Sequence, residues 1–149
     1  MTARAVVDTK VLVSGLIGGQ SPPGQVVDAW LEGRFVLVTS VYQIEEVHHV
    51  LSCPRIASRI GLGSMDLEMF LAALLTRAEV VPGQLALPGV TRDPKDDPIV
   101  ACARGGEVGF IVSGDGDLLE LGEYEGIKVV TPRRFVELLG LGTQDMLSG

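Results

Sequence analysis

Ala3-Arg-Ala-Val-Val-Asp8 is a short apolar run that ends on an acid, and Phe110-Ile-Val-Ser-Gly-Asp115 repeats the design. Runs this short read as core strands. Working outward, further strands are expected at 35–38 and 128–130, with a short edge strand at 79–81. Helix signals alternate with them. A Gly/Pro-rich turn from Gly18 to Gly24 precedes a helix at about 25–32, and Thr39 and Ser40 offer caps to a helix at about 41–51. Pro54 ends that helix, and residues 55–60 are read as another short one. Ser64 caps a helix at about 65–78, Pro98 opens one at about 98–104 that Gly105 and Gly106 stop, and Thr131-Pro132 opens a last helix to about Leu139. The segment between Asp8 and the turn receives no element. Strands alternating with helices imply a parallel sheet covered by helices. Residues 1–140 are read as one domain, 82–95 as a polar loop and 141–149 as a weakly ordered tail.

Composition sets bounds on function. Hydrophobic residues make up 46% and charged residues 21%, as in an ordinary globular chain. No apolar run approaches a bilayer span and the N-terminus lacks a signal-peptide pattern, so a cytoplasmic protein is expected. The net charge of −7 argues against nonspecific coating of nucleic acid, which depends on Lys and Arg. It leaves room for an enzyme that holds phosphate through a metal ion. Cys53 and Cys102 are isolated and are expected as buried thiols.

Asp8 and Asp115 follow strands, and loops at the carboxyl ends of parallel strands form the ligand crevice. Asp97 opens a helix and Glu46 lies in the helix after the second strand, so both can reach that same edge. Two carboxylates ~4 Å apart repel by about 4 kcal/mol at an effective dielectric of ~20, so such a cluster shares protons or binds a cation. Oxygen donors without His or Cys suit Mg²⁺ or Mn²⁺, and the chemistry implied is metal-assisted phosphodiester hydrolysis. On this reading Asp8, Asp97 and Asp115 are ligands and Glu46 binds through water or orients the attacking water. Taken singly, each acid has a plainer reading: Asp8 as cap or turn former, Asp97 as cap, Asp115 and Asp117 as a turn, Glu46 as a solvated helix residue. The signal lies in the joint pattern. Glu45 beside Glu46, and Asp96 beside Asp97, are adjacent alternatives that helical geometry puts about 100° apart.

Four segments carry a family resemblance: Val6-Val-Asp8-Thr-Lys-Val-Leu-Val-Ser-Gly-Leu16, Ser40-Val-Tyr-Gln-Ile-Glu-Glu46-Val, Arg92-Asp-Pro-Lys-Asp-Asp97-Pro-Ile-Val-Ala-Cys-Ala103 and Phe110-Ile-Val-Ser-Gly-Asp115-Gly-Asp117-Leu-Leu119. In order and at this spacing they resemble the motifs of PIN domains, and Thr131-Pro-Arg-Arg-Phe135 is similar to the closing helix of VapC-like toxins of toxin–antitoxin pairs. The likeness reaches to about Leu139; its second motif, with an acid at this spacing from Ser40, favours Glu46 over Glu45, its third favours Asp97, before Pro98, over Asp96, and its fourth implies Asp117 as a helper that binds through water. It implies a three-layer α/β/α fold with a central parallel sheet, Mg²⁺ or Mn²⁺ at the acids, endoribonuclease activity on RNA, a homodimer and a protein antitoxin as partner. One departure stands out. The first motif of the family usually reads Asp-Thr-Asn or Asp-Thr-Ser, and here it is Asp8-Thr9-Lys10. Lys10 could place its ammonium among the carboxylates and partly replace the cation, leaving a noncatalytic interaction module, or it could snorkel outward and leave the site intact.

Other constellations carry less. His48 and His49 are adjacent and face different ways on a helix, which disfavours zinc. A phosphoacceptor receiver would also combine acids at strand ends with a lysine, but the adjacent acid pair after the first strand is missing. Trp30 and Phe70 are expected in the core. Arg55, Arg59, Arg92, Lys95 and Arg104 are candidates for an RNA path.

Overall fold

The computed structural model describes residues 2–17, 20–56, 64–81 and 97–140. Its elements run in chain order as β1 (Arg4–Val7), α1 (Thr9–Ile17), α2 (Pro22–Leu31), β2 (Val36–Ser40), α3 (Val41–Leu51), α4 (Ser64–Thr76) and β3 (Glu79–Val81). They continue as α5 (Asp97–Gly105), β4 (Phe110–Val112), α6 (Gly116–Leu121), β5 (Glu123–Tyr124), β6 (Ile127–Val130) and α7 (Pro132–Leu138). The sheet order is β3-β2-β1-β4-β6-β5. All pairings are parallel except β5 with β6, so the expected central parallel sheet carries one antiparallel strand at its edge. The loop expected at 82–95, most of the helix at 55–60 and the tail at 141–149 lie outside the described residues.

The strands alternate with period two and bury both faces. Ala5, Val7, Leu37 and Val112 face one layer, where α1, α2, α3, α4 and α7 pack. Trp30 and Phe70 meet edge-on there at 6.2 Å between ring centroids, and Phe135 packs against Phe35 and Phe110. Val6, Val38, Ile111, Ile127 and Val129 face the other layer, against Ile99, Val100, Cys102 and Ala103 of α5 and Leu118 of α6. The result is a three-layer α/β/α fold. Burying Val, Leu or Phe from water contributes roughly 1.5–3 kcal/mol per side chain, so these two seams dominate folding. Among the described residues no helix is long and apolar enough to cross a membrane.

Three local differences from expectation have physical causes. Segment 9–17 is helical, although Val11 and Val13 favour strands by propensity. Asp8 supplies the start: its carbonyl accepts the Val11 and Leu12 N–H groups and its carboxylate takes the Lys10 N–H at 3.4 Å. Helix α2 begins at Pro22 and not near Gln25, because Ser21 caps it and both prolines fit the first turn. Cys53 is exposed, not buried, while Cys102 is buried in α5. Burial pushes the Cys102 thiol up to about 11, against a smaller opposing hydrogen bond with Ser40.

Candidate active site

The register of the sheet builds the site. Val7 pairs with Val112, and Val112 with Val130, so residues 8, 113 and 131 leave three neighbouring strands at the same edge. The Asp8 N–H extends the ladder to the Val112 carbonyl at 2.9 Å, and the Ser113 N–H does the same to Val130 at 2.9 Å. Asp8 and Ser113 therefore lie side by side. The fully buried Ser113 hydroxyl donates to Asp8 Oδ2 at 2.7 Å and accepts the Asp115 N–H at 3.0 Å. Asp115 in turn caps α6, its Oδ1 accepting the Asp117 N–H at 2.8 Å. Asp8 thus starts a helix, as its plainer reading has it, Asp115 caps one where a turn is expected, and the same two acids also line a shared cleft.

That cleft has a volume of about 330 Å³ and is lined by Asp8, Lys10, Val11, Ser14, Pro23, Gly114, Asp115 and Pro132. Helix α1 forms one wall. It is pressed against α2 at Gly15, where an added Cβ would sit 2.5 Å from Val27 Cγ2 and 2.7 Å from the Pro23 carbonyl oxygen. This close approach brings Pro23 to the rim. The segment after β4, with Pro132 after β6, forms the other wall.

Glu46 is joined to this arrangement through Thr9. The buried Thr9 hydroxyl donates to Glu46 Oε1 at 2.7 Å, which ties α3 to the residue following Asp8. The rotation of the helix sets Glu46 and Glu45 on different faces. Both are exposed, but Glu46 follows the buried Gln43 by three residues and lies about 60° from it around α3, whereas Glu45 lies about 160° from it. Gln43 fixes the register of α3. Its amide Nε2 donates to the Val7 carbonyl, its Oε1 accepts the Thr39 hydroxyl at 2.9 Å, and its N–H donates to Ser40 Oγ at 3.2 Å.

Asp97 is the first residue of α5, and its side chain lies outside the described residues. The backbone still places it. The carbonyl of Gly106, just past the far end of α5, accepts from Arg4 at the start of β1. The helix therefore runs back from the carboxyl edge of the sheet to the amino edge, and Asp97 begins at the edge where Asp8 and Asp115 stand. Arg104, one of the candidates for an RNA path, lies at the opposite end and faces Glu125 at 3.8 Å. Arg59, Arg92 and Lys95 lie outside the described residues.

The donor set suits a hard divalent cation: the described lining offers carboxylate, hydroxyl and carbonyl oxygens and neither His nor Cys. Among the described residues no group of three or more His, Cys, Asp or Glu is gathered closely enough to hold a metal ion. Lys10 is exposed on the cleft and, among the described residues, forms no ion pair with Asp8 or Asp115. Ser113, Thr9 and Gln43 were not singled out as site residues from sequence. The capping pattern Ser40-x-x-Gln43 is the one signal that could have pointed to any of them.

The chain is 26% identical to an uncharacterized protein of Methanocaldococcus jannaschii over 142 residues, covering 90% of each chain. Residues 4–117, which include β1 and run to the first turn of α6, match the PIN domain family. With more than half of its length matched, this chain belongs to the PIN domain family.

Proposed function

We propose that the chain is a metal-dependent endoribonuclease that hydrolyses RNA phosphodiesters, acting as the toxin of a toxin–antitoxin pair. PIN domains are generally nucleases, which supports the reaction class. The observation that carries the site is the shared cleft: Asp8 and Asp115 leave adjacent parallel strands and line one cavity, with Glu46 tethered beside them by Thr9. Asp8, Asp97 and Asp115 would hold Mg²⁺ or Mn²⁺, with Asp117 assisting through water. When bound, such an ion stabilises charge on a phosphate oxygen and lowers the pKa of water. The chain's own residues do the orienting. Ser113 fixes the Asp8 carboxylate by one oxygen, Asp115 is held by its cap, and Glu46 is turned toward the edge as the group that positions the attacking water. A homodimer, a protein antitoxin and a cytoplasmic location belong to the same reading. The homodimer and the antitoxin rest on the likeness of the Thr131–Phe135 ending to that toxin group.

An inactive interaction module with Lys10 in place of the ion is the competing reading. A lysine that replaced the ion would be paired with the acids, and among the described residues Lys10 pairs with neither Asp8 nor Asp115. Cleavage of a structured RNA pool in Mn²⁺ provides the test. Asp8→Asn and Asp97→Asn are each expected to reduce the rate by more than about 100-fold, beyond what a residue that only orients a ligand costs. Absence of cleavage by the wild type at every Mn²⁺ concentration would favour the module.

A further inference from the structure

Carboxylates account for holding a cation but not for the approach of a polyanion. The chain carries a net charge of −7, and a phosphodiester nearing Asp8 and Asp115 meets two more negative groups. Of the candidates for an RNA path named from the sequence, Arg104 is at the wrong edge and faces Glu125. The structure offers a different positive group. Lys10 is the second residue of α1 and lines the same cleft as the acids. Ser14, four residues later and thus one turn along the same helix face, lines it too. Both are exposed. The main chain of Lys10 is anchored by its N–H on Asp8 Oδ1, so the stem starts from a fixed point. Its ammonium is not consumed by an ion pair among the described residues.

We infer that Lys10 and Ser14 form the phosphate-holding wall of the cleft. The Lys10 ammonium meets a non-bridging oxygen of a substrate phosphodiester by charge, and the Ser14 hydroxyl donates to a second phosphate oxygen. Together they position the RNA strand across Asp8 and Asp115. Lysine suits this role because it recognises phosphate as a mobile point charge. The inference rests on the ribonuclease reading for its substrate class, but the contact itself needs no metal. Lys10 and Ser14 are positioning residues on this account, while the acids do the chemistry.

Binding of a labelled single-stranded RNA oligonucleotide to the full chain, followed by fluorescence anisotropy in EDTA across a salt series, tests it. Losing one phosphate contact on a single strand lowers the slope of log K against log salt by about 0.7. Lys10→Met is expected to weaken binding and to lower the slope by that amount; Lys10→Arg is expected to restore the slope. Ser14→Ala should weaken binding with the slope unchanged, since no charge is lost. Unchanged affinity and slope in Lys10→Met would overturn the inference, and if the wild type still cleaved RNA in Mn²⁺ the ribonuclease reading would survive it. A wild type that bound RNA through Lys10 yet never cleaved it would keep the contact and remove the enzyme. A wild type that bound no RNA in EDTA would defeat the Lys10 contact, whatever Mn²⁺ then did.

Discussion

The amino and carboxyl ends of the strands treat charge in opposite ways. At the amino end, Arg4 makes a two-pronged contact with Glu79 at 2.8 and 2.7 Å and donates to the Gly106 carbonyl at 2.7 Å. Arg104 faces Glu125 nearby. Opposite charges there meet and largely cancel. At the carboxyl end, Asp8 receives the Ser113 hydroxyl, Glu46 receives the Thr9 hydroxyl and Asp115 receives a backbone N–H. Neutral donors fix the direction of a carboxylate and leave its charge in place. One end is thus built to close the fold, and the other keeps oriented negative charge available. On the proposed metal-dependent reading, a cation at the second end would supply the positive charge that Arg4 supplies at the first, to acids already oriented by their neutral donors.

Removing the neutral donors should break this contrast most clearly. Ser113→Ala takes away the donor to Asp8 Oδ2 and the acceptor for the Asp115 N–H in a fully buried position. A loss of roughly 10–100-fold in Mn²⁺ affinity is expected, by analogy with other residues that orient metal ligands. Calorimetry would measure it. Unfolding in urea should show an accompanying cost of about 1–3 kcal/mol, because buried polar groups lose their partners. If Mn²⁺ affinity stayed at the wild-type level, orientation by neutral donors would not be what distinguishes this edge.

Thr9→Val sharpens the comparison at the next level. The shape is kept and only the hydroxyl to Glu46 is removed. If Glu46 positions water and is not itself a ligand, the cleavage rate should fall by roughly 10-fold while Mn²⁺ affinity moves far less than in Ser113→Ala. Equal losses in both measurements would make Glu46 a ligand.

How much of this was legible depends on which force wrote each feature. Strand β4 was readable to the residue because Phe110, Ile111 and Val112 form a continuous apolar run between small residues. Helix α3 was readable because Ser40 is a cap and the apolar positions after it follow a helical period. Helix α1 was missed because local propensity opposed it; Asp8 starts it and packing against α2 at Gly15 holds it. Strand β5 was missed because its hairpin turns on Glu125 and Gly126, both at positive φ of 49° and 85°. Asn-Gly would have announced such a turn, and a Glu in the left-handed region does not. In the cleft, charge was easy to find and neutrality was not. Asp8 and Asp115 could be placed together once β1 and β4 were neighbours. Ser113, Thr9 and Gln43 act through hydroxyl and amide hydrogen bonds, which ordinary surface residues also make, so only register and distance reveal them.

The smallest expected effect lies at the amino end and tests the other half of the contrast. Hydrogen bonding from Arg4 holds the Glu79 carboxyl below the usual carboxylate range, and Glu79 raises the Arg4 guanidinium correspondingly. Because the folded-state value of Glu79 is depressed, the stability it contributes is present above the ordinary Glu range and is lost as pH falls through the lowered value. The pair is partly exposed, at 33% for Arg4 and 46% for Glu79, so the contribution is about 1 kcal/mol at most. Glu79→Gln should therefore lower the urea midpoint slightly at neutral pH, and the difference from wild type should vanish in acid. Mn²⁺ affinity should not change, since the pair stands away from the cleft. A Glu79→Gln protein that lost Mn²⁺ binding would mean that the two ends of the sheet are coupled, and that charge pairing at one of them helps to set the geometry of the other.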